Sequence, residues 1–140
     1  MEYIMQYKFL TVPFLVWFSI QIFKFIVDSI KEKRIMWSRI MGAGGMPSSH
    51  SAVVTTLTTL MVKEYGLEAP ITALTAIFAC VVMYDAAGVR RAAGKQASIL
   101  NKMIELSELN PEERLQEVLG HSPLQVLAGA VIGIIVGILV

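Results

Sequence analysis

The sequence predicts an all-α fold, a polytopic membrane helix bundle with about four transmembrane helices and further amphipathic or cytoplasmic helices in its last connection. Three observations support this. The chain is 55% hydrophobic and only 16% charged, with a mean hydropathy of +0.62, which is too apolar for an ordinary soluble protein of 140 residues. Apolar runs of membrane-spanning length recur, and polar connections separate them. We therefore expect a single integral membrane domain over residues 1–140.

The first predicted span runs from about Phe9 to Ile30 and is interrupted only by Lys24 and Asp28. These two residues are four apart and so lie on one helix face. A secretory signal peptide is the alternative. The apolar stretch is longer than a secretory core, has an acidic residue near its end and lacks a small-residue cleavage site after it, which favours a span.

Three further spans follow along the chain. The second, Ser51 to Val62, is short and rich in threonine, so it needs His50 and the preceding serines to complete it, and its hydroxyls indicate packing against other helices. The third runs from Ala69 to about Tyr84, and the fourth from Pro123 to Val140. The fourth carries small residues at intervals of four, which favour close packing against another helix or a homo-oligomer contact: Gly129, Gly133 and Gly137.

Four spans put both termini on one side of the membrane and the two polar connections, residues 31–47 and 85–122, on the other. Nine of the twelve basic residues lie in these connections. By the positive-inside rule the connections face the cytoplasm. We expect a multi-pass protein of the cell (inner) membrane with both termini on the non-cytoplasmic side.

The second connection has two helical patterns. Val89 to Leu106 is amphipathic, with apolar residues on one face and basic residues on another, and we expect it on the membrane surface or folded into the bundle. Glu105 to Glu117 is acidic and helical in composition, with Asn110 and Pro111 matching a helix start.

The segment GGMPSSHSA, Gly44 to Ala52, sets two serines and a histidine on the first turn of the second span. Glycines let the backbone approach a ligand closely, serines cap a helix or bind an anion, and His50 can exchange a proton near neutral pH. The simpler alternative is a capped helix start with a surface histidine.

The second histidine repeats this arrangement. LGHSP, Leu119 to Pro123, puts His121 just before a predicted Ser122 cap at the start of the fourth span. Because the second and fourth spans begin on the same face, His50 and His121, the only histidines in the chain, are expected to converge. Two helix N-termini that point into one pocket form a site for an anion.

Three arginines in the connections can add bidentate donors for a phosphate: Arg39, Arg90 and Arg91. Histidines, arginines and serines, without cysteines or carboxylates at metal-ligand spacing, favour phosphoryl transfer through a histidine over a metal site. We therefore expect no metal and no cofactor. Arg90 and Arg91 could alternatively be anchors to lipid headgroups.

Three ordered blocks closely resemble the divergent type 2 phosphatidic acid phosphatase family, described as related to acid phosphatases and vanadium-dependent haloperoxidases. They are GGMPSSHSA, YDAAGVRRAAGKQASILN (Tyr84 to Asn101) and LGHSPLQVLAGAVIG (Leu119 to Gly133). The resemblance runs from about Arg39 to the C-terminus. It implies that His50 protonates the leaving oxygen and that His121 is the nucleophile. Further residues would then bind the phosphate: Ser48, Ser49, Arg39, Arg90 or Arg91, and Lys33 as a weaker candidate.

The chain departs from the wider superfamily at several positions. Ser49 replaces a common glycine, no lysine stands at the usual spacing before Arg39, and no Ser-Arg pair precedes His121 at the usual distance. Gln125 occupies the position of the aspartate that orients the nucleophile. A glutamine can accept the imidazole N–H but cannot stabilise an imidazolium as a carboxylate does.

Asp85, at the end of the third span, is a second candidate for orienting His121. Its alternative role is an ion pair with Arg90 or Arg91.

Together these features predict a metal-independent lipid phosphate phosphatase with a phosphohistidine intermediate and a site that faces the cytoplasm. Its partners would be a lipid phosphate and membrane lipid, and a net charge of +1 gives no reason to expect nucleic acid. The alternative is a catalytically silent relative that binds anionic headgroups or scaffolds membrane proteins. A transporter or channel subunit is disfavoured, because Lys24 and Asp28 are the only ionisable residues within a span.

Overall fold

The computed structural model describes residues 7–35, 44–106, 114–117 and 119–140. These residues form helices and no strand, which confirms the all-α prediction. The helices are α1 (Lys8–Lys31), α2 (Ser49–Tyr65), α3 (Pro70–Ala87), α4 (Val89–Leu106) and α5 (Pro123–Leu139). The four predicted spans correspond to α1, α2, α3 and α5, and the predicted amphipathic helix has the bounds of α4.

The second helix, α2, is the centre of the bundle. Helices α1, α3 and α5 all pack against it, whereas α4 packs against α3. Its threonines explain how a weakly apolar helix can occupy this place, because their hydroxyls bond to backbone carbonyls. Thr55 Oγ1 lies 3.1 Å from Ala130 O, and Thr56 Oγ1 lies 3.2 Å from Gly133 O. Hydroxyls that are satisfied in this way join helices in an apolar environment.

The glycine stripe of α5 packs against α2 within the same chain. Gly129, Gly133 and Gly137 lie on the backbone of Ser48, Ala52 and Thr56, one turn after another, so the two helices run parallel. A methyl group at any of these glycines would collide with α2. The prediction of close helix packing is confirmed. Within the chain α2 covers this stripe, and the homo-oligomer contact stays a prediction.

The two ends of the bundle differ in their residues. At one end, Lys8 pairs with Glu64, and Lys63 Nζ donates to Ile138 O at 2.8 Å. The start of α1 therefore lies beside the ends of α2 and α5. The opposite end brings together the starts of α2 and α5, which carry the two histidine motifs.

Two stretches of the described residues are long and apolar enough to cross a membrane, by length and composition: Lys8–Lys31 and Pro70–Leu106, which comprises α3 and α4. Pro123–Leu139 is apolar but shorter. Large apolar side chains are exposed on α1, α3 and α5, among them Leu10, Phe14, Phe78, Leu127 and Ile135. This surface fits a lipid environment. The number of crossings and their orientation stay predictions.

The predicted helix over Glu105–Glu117 is wrong at its C-terminal end. Residues 114–117 have no regular secondary structure. Asn101 holds this segment instead, since its Nδ2 donates to Leu115 O at 2.9 Å and its Oδ1 accepts from Leu115 N at 3.1 Å. These tertiary hydrogen bonds override the helical composition. The predicted start at Asn110 and Pro111 falls outside the described residues.

Candidate active site

His50 lies in the first turn of α2, next to a helix cap. Ser48 is the N-cap residue, and its Oγ accepts hydrogen bonds from Ser51 N at 3.3 Å and from Ser51 Oγ at 2.9 Å. Ser48 is fully buried, and Ser49 is 3% exposed. The hydroxyl of Ser48 thus caps the helix. The phosphate-binding roles of Ser48 and Ser49 stay predictions. The first intrahelical bond runs from Ala52 N to Ser48 O, so the amides of Ser49 and His50 precede it.

His121 is held by three elements that meet at one point. Its backbone N donates to Ala86 O, near the end of α3, at 2.9 Å. Gly120, at φ +79°, lies against the backbone of Arg90 and Arg91 so closely that a side chain would collide. Ser122 then caps α5 as predicted. The small residue before His121 therefore lets the connection pack onto the start of α4.

The structure brings the two histidines together. Their ring centroids are 6.2 Å apart, with 72° between the ring planes. His121 is 3% exposed, and neither of its ring nitrogens has a hydrogen-bond partner among the described residues. His50 is half-buried. A buried imidazole without a partner is unusual, and this one lies beside a second, more accessible imidazole.

Lys24 is the site residue that the sequence analysis missed. It lies on α1, is 5% exposed, and its Nζ donates to Gly44 O at 3.0 Å. It is close enough to interact electrostatically with both His50 and His121. Its position within the first predicted span is a signal in the sequence, because an ionisable residue inside a membrane span indicates a functional role by default.

Arg90 is the arginine that the structure brings to the histidines, since its charge acts on both. Its Nε also contacts Asp85 Oδ2 at 2.6 Å, so the ion-pair alternative for Asp85 is the one observed. Arg91 and Lys33 are exposed. Arg39 falls outside the described residues.

Gln125 does not orient His121, which corrects that prediction. Its Oε1 accepts from Ser122 N at 2.8 Å, and its N donates to Ser122 Oγ at 3.3 Å. These two bonds form a capping box at the start of α5. Because Gln125 Oε1 is hydrogen-bonded to the backbone of Ser122, it does not accept a hydrogen bond from the imidazole of His121.

His121 lies in the connection before α5, and its environment keeps its ring neutral. Burial, followed by the positive charge of Lys24, lowers the pKa of His121 from 6.5 to about 4; smaller contributions come from His50 and Arg90. At neutral pH its lone pair is therefore available to attack an electrophile. Within the described part of the chain, no group of three or more His, Cys, Asp or Glu residues could hold a metal ion.

The chain is similar to known membrane proteins over a range that contains both histidine motifs. The sequence matches the profile described as the Divergent PAP2 family over residues 5–136, a range that includes Lys24, His50 and His121. It is 39% identical to YuiD, named as an uncharacterized membrane protein of Bacillus subtilis (strain 168), over 82% of both chains. No solved structure matches the chain. With two converging histidines in a helical bundle and a match over nearly its whole length, the chain belongs to the Divergent PAP2 family.

Proposed function

We propose that the protein is a membrane-embedded lipid phosphate phosphatase that works without a metal ion, through a phosphohistidine intermediate, from a site that faces the cytoplasm. The observation that carries the proposal is the convergence of His50 and His121 beside the buried Lys24. Membership of a phosphatase-related family supports it.

In the first step, a ring nitrogen of His121 attacks phosphorus and the bond from phosphorus to the lipid oxygen breaks. His50, in its protonated form, gives its proton to that oxygen, and the lipid alcohol leaves. His121 suits the nucleophilic role because it is buried and neutral, and because neither ring nitrogen has a hydrogen-bond partner in the part of the chain that the structure describes. His50 suits the acid role because it is the more accessible ring.

In the second step, water attacks the phosphohistidine and the bond from phosphorus to the His121 nitrogen breaks. His50, now neutral, takes a proton from that water, and inorganic phosphate leaves. The same two side chains therefore complete the cycle, and His50 returns to its protonated form.

Cations from two helices would bind the phosphate oxygens. Lys24 lies on the α1 side of the histidines, and Arg90 lies at the start of α4. Lys24 would take the place of the lysine that the wider superfamily has at a fixed spacing before its arginine and that this chain lacks at that spacing before Arg39. The amides of Ser49 and His50 at the α2 N-terminus can donate further hydrogen bonds, and the helix dipole favours a negative charge there. Negative charge that develops during phosphoryl transfer is stabilised by such fixed donors.

No carboxylate among the described residues hydrogen-bonds the ring of His121. The phosphorylated imidazole would therefore rely on its own phosphoryl oxygens to balance its positive charge. We expect the site to work without the help that an aspartate gives a catalytic histidine by orienting its ring and stabilising its positive charge.

Purified protein assayed against a panel of lipid phosphates tests the proposal. His121→Ala should abolish turnover, whereas His50→Ala should slow it by about 100- to 10,000-fold for a phosphomonoester with a poor leaving group. An activated aryl phosphate needs little proton donation, so it should partly rescue His50→Ala and leave His121→Ala inactive.

Equal losses in both variants with every substrate would contradict these two roles. A wild-type protein that binds lipid phosphate but hydrolyses none would instead support the catalytically silent alternative.

A further inference from the structure

An apolar groove begins at His50 and follows α2. Helices α1 and α3 both pack on α2 but, among the described residues, do not pack on each other. The gap between them is a groove of about 540 Å³ with α2 as its floor. Its lining includes Pro13 and Trp17 of α1, Val54 and Leu57 of α2, and Phe78 of α3. His50 is the one titratable side chain that the described residues contribute to it.

The groove has the shape of a site for a hydrocarbon chain. It extends along α2 from His50 to Leu57, a rise of about 10 Å at 1.5 Å per residue. Phe14 and Phe78 on its two walls are exposed on the outer surface of the bundle. A chain in the bilayer therefore has direct access to it from the side.

A second groove serves as an internal comparison. It lies between α1 and α5, has a volume of about 450 Å³, and is lined by residues such as Leu15, Val16 and Ile132. It is similar in size and apolar character, but no titratable side chain of the described residues lines it. Among the described residues, only the first of these two grooves connects an apolar surface to a titratable side chain.

We infer that the groove along α2 binds the hydrocarbon chain of the lipid phosphate; this inference rests on the proposed function. The group that protonates the leaving oxygen must lie next to the part of the substrate that leaves, which is the lipid alcohol. His50 has this role in the proposed mechanism and also forms one end of the groove. The phosphate then lies between the histidines, and the chain extends from His50 towards Leu57.

Water-soluble alkyl phosphates, from ethyl to octyl, test the assignment. Transfer of each methylene from water into the groove should raise kcat/KM by up to about fourfold in the wild-type protein. Leu57→Trp would fill the groove and should remove this rise, so that the longer alkyl phosphates lose their advantage in kcat/KM over ethyl phosphate. Leu15→Trp, the same substitution in the second groove, should keep the rise.

Binding gives a readout that does not depend on turnover. Trp17 lines the groove, and in a Trp37→Phe background it is the only tryptophan of the chain. Octyl phosphate brominated on its chain should quench Trp17 fluorescence at lower concentration than the matching brominated octanol. Lys24→Met should remove this difference.

The possible failures are distinguishable. Equal turnover of ethyl and octyl phosphates, with no selective effect of Leu57→Trp, would overturn the groove assignment and leave the proposed phosphatase activity standing. Selective quenching without any hydrolysis would overturn the proposed activity and support the groove. Quenching that is equal for the phosphate and the alcohol would overturn the groove.

Discussion

Replacing Lys24 by methionine removes a buried positive charge and keeps the apolar length of the side chain. Lys24 is 5% exposed, so neither water nor salt screens its charge strongly. Loss of one fixed donor to the charge that develops in the transition state lowers kcat by about 100- to 1,000-fold, and we expect Lys24→Met in this range. Lys24→Arg keeps the charge and should retain part of the activity.

The same substitution should move the pH dependence. His121 attacks only in its neutral form, and its pKa of about 4 keeps it neutral at neutral pH. Wild-type kcat/KM should therefore be independent of His121 ionisation above about pH 5 and fall as the pH decreases through 4. Without the positive charge of Lys24, the pKa of His121 rises towards 6.5. The acidic limb should then move to higher pH, but not fully, because burial remains the largest cause.

Steady-state kinetics with a soluble phosphomonoester between pH 4 and 8 would measure both effects. Lys63→Met is the matched control, because Lys63 bonds to Ile138 at the opposite end of the bundle, and it should change neither kcat nor the acidic limb. The assignment of Lys24 to the site would be refuted if Lys24→Met left the acidic limb of the pH profile in place and lowered kcat no more than Lys63→Met does.

Three further predictions concern topology, metal and packing. In a Cys80→Ser background, Leu67→Cys should react with a membrane-impermeant thiol reagent on intact cells and Lys102→Cys should not. The reverse pattern would mean that the site faces outward, which would favour an exported lipid carrier such as undecaprenyl pyrophosphate over phosphatidylglycerophosphate or phosphatidate as substrate. Chelator should leave activity intact and vanadate should inhibit, since the phosphate charge is met by side chains; restoration by magnesium after chelation would contradict this. Gly133→Leu collides with α2 and should destabilise the fold by about 1–3 kcal/mol in thermal unfolding, whereas Val131→Leu on the exposed face should be near neutral; an unchanged melting temperature in Gly133→Leu would contradict the observed packing.

The helices and the meeting of the histidines could be predicted because they depend on local signals. Apolar periodicity, serine caps and proline positions lie within a few residues of the structure that they determine, and α4 has its predicted bounds. The alternation of helix direction then requires His50 and His121 to lie at one end. This needs only the topology and no knowledge of side-chain packing.

The remaining site residues depend on contacts that the sequence leaves open, because a polar side chain can choose between two neighbours or meet a distant segment. The position of Gln125 favours a role in orienting His121, whereas its side chain accepts a hydrogen bond from the backbone of Ser122 at the start of α5. Asp85 pairs with Arg90 because the turn between α3 and α4 brings them together. Lys24 precedes His121 by almost a hundred residues, and only the packing of α1 on α2 brings it near the histidines.

Trapping of the covalent intermediate tests the central claim most directly. His50→Ala, incubated with an activated aryl phosphate, should form the phosphohistidine without needing an acid and should lose it slowly, because the general base for hydrolysis is absent. Mass spectrometry of the rapidly quenched protein should then find one phosphoryl group on His121, and none in the double variant that also carries His121→Ala. A phosphoryl group on another residue, or hydrolysis of the aryl phosphate without any labelled protein, would contradict the account.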